Sequence, residues 1–306
     1  MPVERIGGDA ERAIASVLRQ EAPFPFELIV VSAQALELPA ETRVMNVVEG
    51  NRNPATRRNR GVSLASGEIL AFIDDDAFAA PDWLASAVTY FDAHPEALAL
   101  GGPDPAPDDS TIAELVSDTL LATPYIGSGI AAHESRRGTF ALRQPSDIAL
   151  VNLFVRRGAF TPFDEAIGYI GEDTALIETL MTRGAVVYCD AVRVFHRRRA
   201  FPGPYLRQRW RYRVKTGEML ARGATAYRGN RKITLFLIAA FAGIVTLPIS
   251  LPLYFVATFL LGVRVTRLPL RTWPIIPFAF LLHHATYLGG ILWGLRSRGV
   301  RLRRDG

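Results

Sequence analysis

The 306-residue sequence predicts an α/β sandwich with a mixed, mostly parallel sheet, followed by C-terminal apolar helices. Three observations predict it. Short apolar runs alternate with helical patterns through the first two thirds of the chain, the rhythm of strands packed between helices. Charge is divided by position: residues 1–192 carry 14 Arg and 28 acids, net −14, whereas residues 193–306 carry 21 Lys and Arg and only Glu218 and Asp305, net +19. Hydropathy is divided too, because Ile233–Val263 and Trp273–Leu295 hold no charged residue. With 49% hydrophobic residues the chain falls outside the disordered, collagen-like and disulfide-stapled classes.

Taken in order, Asp9–Gln20 reads as an amphipathic helix with Ala10, Ile14, Val17 and Leu18 near one face and Asp9 as N-cap. Glu27–Ser32, Arg43–Val48 and Glu68–Ile73 read as strands, and Asn53–Ala65 as a basic helix carrying Arg57, Arg58 and Arg60. Pro81–Phe91 opens with proline at a helix start and spaces Trp83, Leu84, Ala87, Val88 and Phe91 helically. Leu98–Gly101 is a fourth strand. Pro103–Pro145 lacks periodicity and reads as a long surface excursion with one helix at Ser110–Leu121. Regular structure resumes at Ile148–Val155, in a helix at Asp173–Arg183, and at Val186–Tyr188 and Val192–Phe195. Cys189 has no partner for a disulfide and is expected to be buried. No secretory leader pattern opens Met1–Gln20, where Arg5, Arg12 and Arg19 alternate with acids.

The domain boundaries expected are 1–196 for the α/β domain, 197–232 for a basic amphipathic interfacial segment, 233–295 for a transmembrane region of two or three helices, and 296–306 for a basic cytoplasmic tail. The interfacial reading comes from Arg207, Arg209, Arg211, Arg213 and Lys215 interleaved with Tyr205, Leu206, Trp210 and Tyr212. Ile233–Val263 would be about 46 Å long as one helix, more than a hydrocarbon core of about 30 Å requires, so it is either one kinked span or a hairpin of two. Positive-inside reasoning sets the basic clusters and the acidic half in the cytoplasm, with two spans preferred. The expected location is the inner membrane, multi-pass. A nucleic-acid partner is not expected, since its basic stripe would have to coexist with two uncharged runs.

Two acidic clusters could carry chemistry. Asp74, Asp75 and Asp76 directly follow a strand, at the end where ligands bind in open α/β sheets. Crowded carboxylates repel unless a cation or donors compensate. Asp74 and Asp76 can point the same way from a tight turn, and two hard oxygens suit Mg²⁺ or Mn²⁺ held against a diphosphate. A solvated acidic turn is the alternative. Glu172 and Asp173 open a helix, either as dipole-stabilising acids or as a carboxylate base for a hydroxyl. His196 is either structural or a ligand, and the arginines at 57, 58 and 60 either neutralise phosphates or form a solvated face.

The order of these pieces carries a resemblance. Arg58-Asn59-Arg60-Gly61, Ala65-Ser66-Gly67-Glu68, Phe72-Ile73-Asp74-Asp75-Asp76 and Pro81-Asp82-Trp83-Leu84 resemble family 2 glycosyltransferases of the GT-A fold, a Rossmann-like nucleotide-diphospho-sugar transferase sandwich. So do Phe163-Asp164-Glu165, Gly171-Glu172-Asp173-Thr174 and Val194-Phe195-His196. Gly101-Gly102-Pro103 and the late His284, Tyr287-Leu288-Gly289-Gly290 and Gly294-Leu295 resemble the membrane-anchored exopolysaccharide branch. The resemblance implies a nucleotide-sugar donor, Mg²⁺ or Mn²⁺, and an inverting displacement. It implies Asp173 as general base with Glu172 beside it orienting the acceptor. Asp74, Asp75, Arg58 and Ser32 are then donor-binding, and Asp76, Asp74 and His196 hold the metal. Two features depart from the pattern: Met1-Pro2-Val3 matches only the end of a first strand, and Ser32-Ala33-Gln34 stands where the family places an aspartate.

The expected function is transfer of one sugar to a membrane-held acceptor, lipid-linked or glycan, in surface polysaccharide synthesis. Alternatives are a polyprenyl-phosphate glycosyltransferase and an inactive membrane scaffold of an assembly complex. Arg207-Gln208-Arg209-Trp210 lacks the spacing of the processive Gln-x-x-Arg-Trp motif, which argues for single transfer.

Overall fold

Each apolar run read as a strand contributes to one in the computed structural model, which describes residues 1–4, 6–38, 43–128, 130–166, 171–221 and 231–301. In chain order the elements are β1 (Pro2–Val3), α1 (Gly8–Leu18), β2 (Leu28–Ser32), β3 (Val44–Val48), α2 (Pro54–Leu64), β4 (Ile69–Phe72), β5 (Ala77–Ala79), α3 (Trp83–Ala93), β6 (Ala97–Gly101) and α4 (Ile112–Ala122). There follow β7 (Thr139–Ala141), β8 (Leu153–Arg156), α5 (Glu172–Arg183), β9 (Ala185–Cys189), β10 (Val194–His196), α6 (Gly203–Ala221), α7 (Arg231–Val245), α8 (Leu247–Gly262) and α9 (Ile275–Arg301). The chain divides into two compact units, Met1–Asp108 with Gly129–Arg197 and Asp109–Ser128 with Arg198–Gly306. The excursion does not stay whole: its helix α4 groups with the C-terminal half.

In the first unit, β1, β2 and β3 form a parallel sheet, β5 and β10 an antiparallel pair, and the largest sheet runs β4-β8-β6-β9-β7. The large sheet corrects the expectation of mostly parallel pairing. Among the described residues only β6 and β9 pair parallel in it; β8 enters antiparallel between β4 and β6, and β7 pairs antiparallel with β9. The reason is connectivity, since the excursion after β6 brings the chain back to the end where β6 finished, with Leu153 opposite Gly101, so β8 must run the other way. β8 and β9 alternate strictly, as strands covered on both faces must. Leu153, Val155, Val186 and Tyr188 pack with Leu176, Ile177 and Leu180 of α5, whereas Phe154 and Val187 pack with Trp83, Leu84, Ala87 and Phe91 of α3. β1 is two residues long and pairs parallel with β2. Asp9 does not cap α1; Gly7 occupies the N-cap without a side-chain bond, and Asp9 lies in the first turn.

The second unit is helical. α6 lies along α9, and the glycines of the late motif explain how closely. A side chain at Gly217 would meet the Ile291 carbonyl oxygen at 2.2 Å, and one at Gly294 the Val214 carbonyl oxygen at 2.1 Å. Small residues thus let two helix backbones touch, with Gly290 and Gly294 spaced one turn apart. α4 joins this packing through Val116, Leu120 and Leu121, which cluster with Tyr205, Ile276, Ala279 and Phe280. Ile233–Val263 resolves into two helices, α7 and α8, with a break at Thr246. Among the described residues, one helical segment is long and apolar enough to cross a membrane, Ile275–Arg296; α8 is apolar but shorter. Residues 222–230 of the expected interfacial segment and 302–306 of the expected tail lie outside the described residues.

Candidate active site

The aspartate run follows β4 because the strand ends in buried apolar residues, Phe72 and Ile73, and a turn must come next. The Ala77 N–H donates to the Asp74 carbonyl at 3.2 Å, closing a turn over Asp75 and Asp76 that leads into β5. β5 then pairs with β10 so that Ala77 faces His196. The register accounts for the meeting of two residues 120 apart in sequence: the His196 Nε2 stands 3.3 Å from the Asp76 carboxylate, and the Arg197 N–H donates to the Asp76 carbonyl at 2.9 Å.

α2 supplies the cation. Asn53 caps it by accepting from the Ala55 N–H, and Pro54 fits the first turn. Of the three arginines expected on this helix, Arg58 alone reaches the acids. Its guanidinium donates to Asp74 at 2.9 Å and to Glu172 at 3.0 Å, with its side chain 8% exposed. Arg57 turns the other way, to the carbonyl of Asn51, and Arg60 is exposed. Burial works against the charge on Arg58, but the carboxylates of Asp74, Glu172 and Asp173 together hold its pKa above the usual arginine value.

α5 brings the second pair of acids. Gly171, at φ +102°, makes the left-handed entry that a side chain would strain, and Glu172 and Asp173 occupy the first turn. The approach to this helix is pinned by α2: Asn59 exchanges hydrogen bonds with Phe163, and Thr56 and Asn59 donate to Glu165. Phe163 closes edge-on against Phe72. The Phe163-Asp164-Glu165 motif therefore serves to seat α5. Glu172 is buried, and burial followed by the neighbouring Asp173 charge pushes its pKa up, with Arg58 opposing. The Asp173 carboxylate accepts from the Thr174 N–H and hydroxyl.

The remaining expected residues are placed as follows. Asp75 accepts from the Glu4 N–H at 3.3 Å; burial and the adjacent Asp76 carboxylate push its pKa up to about 6. Ser32 is fully buried at the end of β2, and its hydroxyl donates to the Gln34 carbonyl at 2.7 Å, so it does not join the acids. Asp74 and Asp76 have separate partners, Arg58 and His196. Among the described residues no group of three or more His, Cys, Asp or Glu side chains forms a cage able to hold a metal by itself. One carboxylate and one imidazole nitrogen remain together, a donor set that fits Mg²⁺ or Mn²⁺ sharing its coordination with phosphate oxygens. Sequence reasoning missed Asp104 and His133. Asp104 Oδ2 is 3.3 Å from His196 Nδ1, and its Oδ1 is 2.7 Å from His133 Nδ1. Their signal was faint: Asp104 directly follows Gly101-Gly102-Pro103.

Residues 7–155 match the family model described as "Glycosyl transferase family 2". The glucosyl-dolichyl phosphate glucuronosyltransferase of Haloferax volcanii is 39% identical over 59 residues, 19% of this chain and 19% of its own length. The chain thus matches about a fifth of that curated relative. Among solved structures, the mannosyltransferase PcManGT from Pyrobaculum calidifontis, in complex with GDP-Man and Mn²⁺, is 18% identical, with 94% of this chain and 85% of that one covered at a TM-score of 0.52. Residues 1–349 of S. aureus TarS are 13% identical, with 95% and 88% covered and a TM-score of 0.49. The sheet order, the acids beyond β4 and the matched family model agree: the chain has a GT-A-like α/β fold, and its residues 7–155 are similar to a family 2 glycosyltransferase domain.

Proposed function

We propose that the protein transfers a single sugar, with inversion, from a nucleotide-sugar donor to a lipid-linked acceptor at a membrane. The observation that carries this reading is the guanidinium of Arg58, bound at once to Asp74 after β4 and Glu172 at the start of α5. It gathers the expected donor-binding acid and the expected acceptor-side acids around one cation.

In this reading Asp173 accepts the proton of the acceptor hydroxyl on a carboxylate oxygen, and the oxygen so freed attacks the anomeric carbon as the diphosphate leaves. Glu172, tied to Arg58, orients the acceptor side. Asp74 and Asp75 bind the donor, and Arg58 sets the orientation of Asp74; Ser32 contributes to the donor side only through the loop it braces. Asp76 and His196 would hold Mg²⁺ or Mn²⁺, which supplies charge neutralisation for the departing diphosphate. The PcManGT complex with GDP-Man and Mn²⁺ supports a metal and a nucleotide sugar, and the dolichyl phosphate in the relative's name supports an isoprenoid-linked acceptor.

Membrane attachment rests on Ile275–Arg296 and on exposed apolar side chains: Phe241 is 71% exposed, Ile249 72% and Leu253 64%. A surface of this kind is covered by lipid or protein. Lysine and arginine placement favours a cytoplasmic catalytic face at the inner membrane, with a surface polysaccharide as the eventual product.

Incubating membranes that contain the protein with a panel of radiolabelled nucleotide sugars, then analysing the lipid fraction, tests the reading. Label should enter lipid with one donor. Asp173→Asn should retain donor binding while turnover falls about 10²- to 10⁴-fold. A near-normal rate in that variant would remove Asp173 from the role of base.

A further inference from the structure

We propose that Asp104 and His133 are positioning residues, a buried carboxylate–imidazole pair that locks the His196 ring so that its Nε2 lone pair is held beside the Asp76 carboxylate. This deepens the proposed metal role of Asp76 and His196 and rests on it.

The argument begins with Asp104, which is fully buried. A buried carboxylate needs donors, and an ionised one only accepts. The two ring nitrogens that face it, His133 Nδ1 at 2.7 Å and His196 Nδ1 at 3.3 Å, therefore each carry a proton. In a neutral His196 the proton on Nδ1 leaves Nε2 as the lone-pair nitrogen. That nitrogen is 3.3 Å from Asp76 Oδ1, itself a lone-pair carrier. Two such atoms 3.3 Å apart repel each other, and a proton or a divalent cation shared between them relieves that repulsion. A carboxylate behind a liganding imidazole is the general means of fixing its tautomer and orientation.

The backbone holds the arrangement from several sides. β10 donates from Val194 to the Pro103 carbonyl and from His196 to the Pro105 carbonyl, so Asp104 is carried on a segment bound along β10. The Asp104 N–H donates to the Ala132 carbonyl, which brings His133 within reach. Asn152, fully buried, donates to both the Pro103 and Val192 carbonyls and accepts from the Trp83 indole. Gly102 is required at this point, because a side chain there would meet the Val192 carbonyl oxygen at 1.9 Å. The Gly101-Gly102-Pro103 motif thus acquires a purpose: it lets the chain pass close enough to β10 to deliver Asp104 behind His196.

An Asn at 104 could accept from one ring only; its NH₂ would face the other and expel that ring's Nδ1 proton. The test is Mn²⁺ titration of the full-length protein in detergent, with free Mn²⁺ counted by electron paramagnetic resonance, and ¹⁵N-histidine spectra taken without metal. Asp104→Asn should weaken Mn²⁺ binding about 10- to 100-fold and move the His196 ring nitrogens from the Nδ1-protonated pattern. His133→Leu should weaken binding less, since it acts through Asp104, and His133→Gln, which can still donate to Asp104, should restore it to within about twofold. These two variants decide the question if Asp104→Asn does not fold. Asp76→Asn is the reference. If it abolishes Mn²⁺ binding while Asp104→Asn and His133→Leu leave both affinity and ring spectrum unchanged, the positioning role is overturned and the metal role stands. If Asp76→Asn leaves Mn²⁺ binding unchanged, both are overturned.

Discussion

The two units hold themselves together by opposite means. The first gathers Asp74, Glu172 and Asp173 around one buried guanidinium, and its candidate site consists of charges that need one another. The second joins α6 to α9 by removing side chains, so that glycine backbones touch. The contrast teaches where each unit is vulnerable: one to loss of a charge, the other to gain of a few carbons.

The comparison is broken most severely at Arg58. Arg58→Ala strands Glu172 in a buried setting and should cost about 3 to 5 kcal/mol, the usual penalty for removing one partner of a buried pair. Adding Glu172→Gln to that variant should restore at least about 1 kcal/mol in a thermal melt of the full chain; no recovery would mean that Arg58 matters for packing and not for charge. Next is Gly294→Val. Its new side chain must displace backbone at Val214, and overpacking of this kind costs roughly 1 to 3 kcal/mol or more. Gly243, with open space around it, is the control: an alanine there should be neutral or slightly stabilising.

The smallest effect sharpens the comparison through pH. The Asp75 carboxyl rises from its usual 3.8 to about 6, through burial first and Asp76 second. The folded chain keeps this proton up to about pH 6, whereas the unfolded chain loses it near 4, so this group lowers stability as pH climbs through that window. Above pH 6 the penalty is complete. Asp75→Asn should therefore stabilise the metal-free protein by about 1 to 2 kcal/mol at pH 7.5 and by nothing below pH 4, measured by denaturant unfolding at both pH values. An equal effect at both would trace the change to packing.

Much of this was legible in the sequence because strands and amphipathic helices declare themselves locally. The runs at Leu28–Ser32 and Ala185–Cys189 and the aspartate turn all depend on neighbours a few residues away. What depends on distant pairing was not legible. Nothing near Leu153 tells that β8 enters antiparallel, because that is decided by the excursion's return. Arg57, Arg58 and Arg60 look alike in a row; helical geometry alone separates the one aimed at the acids. Asp104 and His133 sit in a stretch without periodicity, where neither burial nor pairing leaves a pattern. Ser32, expected on the donor side, forms a bond to its own loop that no spacing rule anticipates.

The sharing of Arg58 among three acids has a kinetic consequence. With one guanidinium set against Asp74, Glu172 and Asp173, and with Asp76 close by, the acids outnumber the cation they share and the site carries surplus negative potential. A nucleotide diphosphate arriving bare is repelled by it, whereas one arriving as a cation chelate is not. Encounter rates of metal-free nucleotide should therefore rise with added monovalent salt, which screens the repulsion, and those of the chelate should not. Under the proposed chemistry the protein thus imposes an order of arrival on its ligands.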